Sequence, residues 1–308
     1  MRRTATLLLA AGVLAAPWLV AAAIPRQQRY VLHVLVFTVL FAALALSYDL
    51  IVGHLGSLSL AHPAFFGVGA YTAAILATRA GWPFLGALVG VPLFRLTEHA
   101  FAVGTLGLAL VASIVANNWV EVTRGPLCIT GIPKPVLRLP GAPTLAVTTL
   151  SGYYWLALAA LAGVVLLYRG LTTFRLGRAF HAIRDNEALA AAAGIDALKY
   201  RLLAFTIGAA VAGGVGALYV HYLSVMCPEE MTVALTVNLL VIVFLGGVGS
   251  LRGVLVGAAL FTALPEVLRL APTWRLVIYG ILLLLVVVRS PEGIESLLRR
   301  TRAPRSTG

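Results

Sequence analysis

Lysine is nearly missing from this sequence: Lys134 and Lys199 are the only two in 308 residues. The first precedes Pro135 and the second Tyr200, so no glycine-rich loop ends in Lys-Ser or Lys-Thr. The chain therefore has no P-loop with which to hydrolyse ATP. Acidic residues are scarce as well, eleven in all, and no paired-carboxylate cluster, H-E-x-x-H or G-x-S-x-G occurs. An enzyme reading has little to stand on, and no catalytic, cofactor-binding or metal-binding residue is assigned. Two cysteines, Cys128 and Cys227, are too few for a disulfide framework and lack metal-ligand spacing. They form one bridge or are two unrelated thiols.

What the chain has in abundance is apolar sequence. It is 60% hydrophobic and 11% charged, with a mean hydropathy of +0.97, which places it among integral membrane proteins. A bilayer core of about 30 Å needs roughly 20 apolar residues per helical span. Alternating strand-like segments are not evident, so helices are expected throughout. Apolar runs place spans near 5–24, 31–50, 62–78, 82–94, 100–117, 150–168, 202–222, 235–249, 254–270 and 275–289. The fourth and eighth are short, giving an all-α polytopic bundle of about eight to ten spans in one domain, 1–308.

The net charge of +12 comes from 23 Lys and Arg residues that sit almost entirely in connecting segments, as topology signals rather than nucleic-acid contacts. With both termini in the cytoplasm, fifteen of them fall inside and eight outside, which favours that orientation over its inverse. Residues 1–23, with Arg2, Arg3 and Ala21-Ala22-Ala23, imitate a signal peptide. An uncleaved first span is preferred.

Two polar stretches interrupt the spans. Residues 118–149 carry five prolines and three glycines and read as an irregular outer loop. Residues 169–201 are different. There "RAFHAIRDNEALAAAAGI" is rich in strong helix formers and reaches Gly194, a C-cap candidate. A polar helix at the cytoplasmic face is expected. A short echo joins Gly56-Ser57-Leu58 to Gly249-Ser250-Leu251, each followed by a helix rich in small residues.

Small residues mark two helix-packing zones. Gly67, Gly69, Ala70, Ala73 and Ala74 permit close approach on the third span, as Gly246, Gly247, Gly249, Gly253 and Gly257 do around the eighth and ninth. Each zone reads as a packed core or as a wall of the transport path. In "LSLAHPAFFGVGAY", Pro63 suits a first helical turn and His62 a packing contact, with Phe65 and Tyr71 beside the small residues. As a catalytic base, His62 has no paired acid near it in sequence. Other ionisable candidates are His33, Asp49, Glu98, His99 and Glu266. Asp49, Glu98 and His99 fall at span ends where water is reachable, and Glu266 has Arg269 three residues on.

Four segments in order resemble a known family, the permease subunits of bacterial branched-chain amino-acid ABC importers, the M type of the Liv system. They are "YDLIVGHLGSLSLAHPAFFGVGAYTAA" from Tyr48, "LGRAFHAIRDNEALAAAAGID" from Leu176, "VIVFLGGVGSLRGVLVGAAL" from Val241 and "RSPEGI" from Arg289. The resemblance runs from about residue 30 to 295. It implies a heterodimer with a second, related permease, two cytoplasmic ATPases that hydrolyse the ATP, and a periplasmic binding protein. It also implies that 176–196 is the coupling segment, with Arg184, Glu187, Ala188, Ala191 and Gly194 at the ATPase contact. The place implied is the bacterial inner membrane. Urea or another amino acid is an alternative cargo within the family. The rival from another class is a stand-alone secondary transporter using Asp49, Glu98 or Glu266 as an ion site.

Overall fold

The computed structural model describes residues 15–18, 20, 27–79, 101–137 and 145–267. The spans expected at 82–94 and 275–289, and most of the one at 5–24, lie outside these residues. So do Glu98, His99, Arg269 and the side chain of Glu266.

The central element is α1 (Gln28–Asp49), prolonged by a π turn at Leu50–His54. From residue 42 to 55 every position is buried, because α1 is surrounded by four other helices and is apolar all round. Gly56, at φ +66°, ends it. Then α2 (His62–Thr78) starts with Pro63 in its first turn, where a missing N–H costs nothing. Next come α3 (Phe101–Asn118) and the short α4 (Val120–Thr123). The chain bends by 75° between Thr105–Asn118 and Val120–Leu127.

After the interruption, α5 (Leu150–Thr173) is capped by Thr149, whose hydroxyl accepts from the Gly152 N–H at 3.1 Å. Two short helices follow, α6 (Arg175–Asp185) and α7 (Glu187–Ala192), then the long α8 (Ala197–Leu223), α9 (Val233–Gly246) and α10 (Leu251–Val267). Around α1 pack α5, α8, α9 and α10, while α2 lies along α8. Among the described residues, three helices are long and apolar enough to cross a membrane: Gln28–His54, Leu150–Thr173 and Ala197–Leu223, with the bent pair a fourth if counted as one span.

Several boundaries differ from the sequence reading. The span expected at 150–168 runs to Thr173, and that expected at 202–222 begins at Ala197, because helix caps rather than hydropathy set these ends. The single polar helix of the 169–201 loop is two. Asn186 stands extended between α6 and α7, and its side-chain oxygen accepts from the Leu189 N–H at 3.0 Å, starting a new helix. Gly194, at φ +81°, closes α7, with the Ile195 N–H donating to the Ala190 carbonyl at 3.0 Å.

The 118–149 loop is less irregular than its prolines suggested. It holds β1 (Ile129–Thr130), β2 (Val136–Leu137) and β3 (Leu145–Ala146), with β2 and β3 paired antiparallel. β1 pairs with β4 (Val225–Met226) just beyond α8. Flanking this pair, Cys128 and Cys227 form a disulfide across 99 residues. The two thiols are one bridge. The bundle thus has a disulfide end and, at the opposite ends of α5 and α8, an end carrying α6 and α7.

Candidate functional site

The α6–α7 pair is an amphipathic cover. Phe180 and Ile183 of α6 and Ala190 of α7 face a small apolar cluster with Leu50, Leu55, Leu171 and Ala204. The opposite face is open: Glu187, Ala188 and Ala191 are exposed with Gly194, and Leu189 is 68% exposed. Glu187 is held from behind, because Arg201 of α8 donates to both its carboxylate oxygens. Asp196 caps α8, and its carboxyl is held below the usual carboxylate range, chiefly by hydrogen bonds from Lys199. Among the sequence-predicted coupling residues the structure therefore places Ala188, Ala191 and Gly194 on one exposed surface, while Glu187 anchors and Arg184 reaches inward.

Arg184 lies at the last turn of α6, and its Nη1 donates to the Gly53 carbonyl in the π turn of α1. One turn earlier on α1, Asp49 corrects the sequence reading. The hydropathic run ended at residue 50, which suggested water at Asp49, yet the helix continues through His54 and neighbours cover it. Asp49 is 0% exposed. Its two oxygens are filled: Tyr168 of α5 donates to Oδ2 at 2.5 Å, and the Gly249 N–H donates to Oδ1 at 2.8 Å. His54 stands beside them, its Nδ1 3.9 Å from Asp49 Oδ2 and its ring edge-on to Tyr168. A buried carboxylate is tolerated only when bonded in this way.

The small residues mark real helix crossings. A Cβ on Gly69 would overlap the Gly213 backbone of α8, so α2 and α8 touch along their main chains. Gly67 lies against Met231, and Gly246 of α9 against Gly253 of α10. Gly247 and Gly249 belong instead to the break between those helices, both at positive φ. His62 is fully buried, its Nε2 3.1 Å from the Ser47 hydroxyl and its ring edge-on to Tyr48. Phe65 meets Phe205 edge-on, and Tyr71 is buried nearby. His33 hydrogen-bonds Tyr222 at 2.5 Å near the disulfide end.

These crossings leave little space. The cavity among Ser47, Tyr168 and Gly208, and that beside Phe66 and Tyr219, measure about 10 Å³ each, room for one water. A larger cleft of about 370 Å³ opens beside Tyr168, Arg169 and Arg252. Tyr168, Gly53 and Arg201 escaped the sequence reading. Tyr168 carried a signal, a hydroxyl at the end of an otherwise apolar run, and Asn186 carried another, an N-cap residue before Glu-Ala-Leu.

A family described as the permease component of the branched-chain amino acid transport system matches residues 30–287. The chain belongs to this family. This permease is accordingly a multi-pass membrane protein. It is 31% identical over 303 residues to the high-affinity branched-chain amino acid transport system permease protein LivM of Escherichia coli K12, covering 88% of this chain and 71% of that one. It is 26% identical over 286 residues to LivH of the same organism, covering 82% and 90%. The autoinducer 2 import system permease protein LsrC of Klebsiella pneumoniae is 31% identical over 236 residues, covering 71% and 64%. The permease thus resembles two differently named permease proteins of one transport system. No solved structure matches it.

Proposed function

We propose that this permease carries branched-chain amino acids across the bacterial inner membrane as one half of an ABC importer. The observation that carries the reading is the exposed, small-residue face of α7, held rigidly from behind. A stand-alone transporter has no use for a presented docking surface, whereas an importer subunit without a P-loop needs one to receive force from ATPases. Ala188, Ala191 and Gly194 form the contact, Glu187 and Arg184 support it, and the small side chains admit the partner closely. The other partners are a second permease related to LivH and a periplasmic binding protein, with ATP consumed outside this chain.

Orientation follows from two independent supports. Basic residues favour the α6–α7 end as cytoplasmic. The disulfide suits the oxidising periplasm, which supports a periplasmic position for the opposite end. The close crossings of α2 with α8 and of α9 with α10 are the seams along which the path opens, with His62, Phe65, Gly67, Gly69, Tyr71 and Gly246 on them and Gly247 and Gly249 at the break between α9 and α10.

A second reading has one observation in its favour: Asp49 is a carboxylate buried in a span, as in ion-coupled carriers. Uptake by reconstituted vesicles with internal ATP and a collapsed ion gradient separates the two. Uptake of labelled leucine should continue without the gradient and stop without ATP or without the partner ATPases. Gradient-driven uptake by this chain alone would overturn the importer reading.

A further inference from the structure

The Gly-Ser-Leu echo acquires a physical meaning in three dimensions. Gly56-Ser57-Leu58 reverses the chain between α1 and α2, and Gly249-Ser250-Leu251 reverses it between α9 and α10. Both glycines are left-handed, at φ +66° and +77°, a conformation that other residues adopt only with strain. Both also flank one side chain. A Cβ built on Gly56 would lie 3.1 Å from Arg184 Cγ, and one on Gly249 would lie 3.6 Å from Arg184 Nη1.

The hydrogen bonds close the arrangement. Arg184 donates to Gly53 at the end of α1, and Asp49, one turn away, accepts from Gly249 in the second reversal. Tyr168, near the end of α5 that leads into α6, fills the remaining oxygen of Asp49. Gly53 has no room for a side chain because the Gly249 amide nitrogen would lie 2.6 Å from its Cβ. Four segments that are distant in sequence therefore meet at one point, and the two charged residues bridge them. Packing alone would be served as well by apolar side chains, which carry no desolvation cost.

We propose that Asp49 and Arg184 are positioning residues for transport: they form a rigid joint through which α6–α7 moves both glycine reversals together. Force applied at α7 reaches Gly53 through Arg184, and reaches the α9–α10 break through Asp49. The two hairpins then move in concert rather than separately. This inference rests on the importer reading, since it takes the force to originate in a docked ATPase. Asp49 acts here as a pair of acceptors whose geometry matters, not as a carrier of a proton or ion.

The test uses the complete importer in proteoliposomes, with ATP hydrolysis and leucine uptake measured on the same sample, and hydrogen exchange measured over 247–252. Arg184→Gln alters an exposed side chain and should assemble normally. Its uptake per ATP should fall about tenfold, the effect of losing one hydrogen bond from a charged group. Exchange at the Gly249 amide should quicken by about the same factor although Arg184 does not bond that amide. Asp49→Ala should do both, whereas Asp49→Asn keeps an oxygen for Gly249 and an amide group for Tyr168, and should hold uptake per ATP within about twofold of wild type.

Parallel loss of hydrolysis and uptake, or no change in either, in Arg184→Gln would overturn the joint. So would an Asp49→Asn variant as uncoupled as Asp49→Ala, since the charge would then be the requirement. Should Asp49→Ala fail to assemble, Arg184→Gln decides. Absence of ATP-driven uptake in the wild type would sink the importer reading, while the exchange rates at Gly249 would still accept or reject the joint.

Discussion

Glu187 and Arg201 meet fork to fork: the two carboxylate oxygens accept from the two terminal nitrogens at 2.9 and 2.8 Å, joining α7 to the second turn of α8. Paired geometry of this kind is worth about 1 kcal/mol when half exposed. That is little for the fold as a whole but enough to fix a six-residue helix. Glu187→Ala should leave insertion unchanged and lower ATP-dependent uptake several-fold. The swap of Glu187→Arg with Arg201→Glu should recover part of it; a swap no better than the single change would remove the pair from the account.

Ala191 lies on the outer face of that same helix. A bulky charge there would hold a docked subunit away without disturbing the buried side, where Ala190 sits. Ala191→Glu should abolish transport while membrane levels stay normal. Unchanged uptake by this variant at normal expression would place the docking surface elsewhere.

Gly69 of α2 and Gly214 of α8 should behave oppositely. Gly213 faces the backbone of Gly69, but a Cβ on Gly214 would meet nothing within 4 Å. Gly69→Leu should therefore prevent stable assembly. Gly214→Ala should be neutral or should stabilise the helix by up to about 1 kcal/mol, because alanine is the better helix former. Thermal unfolding of the two purified variants reads the contrast, and equal tolerance of both would mean that α2 and α8 do not touch.

The bridge between Cys128 and Cys227 closes a loop that contains two membrane spans. A free chain of that length would lose several kcal/mol on reduction, but inserted spans already restrict this one. The cost of Cys128→Ser should thus be about 2 kcal/mol or less. Reductant should lower the unfolding temperature of the wild type and leave the variant unaffected. Labelling of unreduced, denatured protein by a maleimide would show that the bridge does not form.

Glu230 gives a pH dependence at the disulfide end, where it faces Tyr219 and a small apolar cavity. Burial raises its carboxyl above the ordinary range, the Tyr219 hydroxyl draws it partly back, and Glu229 beside it raises it further. The folded state then binds this proton more tightly than the unfolded one, so stability from this group is lost as pH rises through the folded value. Across the window between the ordinary and the raised value, wild type should gain stability on acidification relative to Glu230→Gln. A difference between the two proteins that is flat with pH would contradict this.

Much of the architecture was determined by sequence alone. Apolar runs of span length, Pro63 at a helix start and Gly194 past a helix end each act through local physics, namely solvation, a fixed φ and a left-handed cap, so they can be read in one dimension. Asn186 was equally local and could have been read. Asp49 was not of this kind: whether a carboxylate at the end of an apolar run meets water depends on what lies over it, and here that is Tyr168 and Gly249, 119 and 200 residues away. The pairing of Cys128 with Cys227 and the meeting of both Gly-Ser-Leu turns at Arg184 are likewise contacts between distant segments. Only the packing of the helices against one another decides them, because close approach in a bundle depends on which small residues face one another, and a sequence pattern alone does not say so.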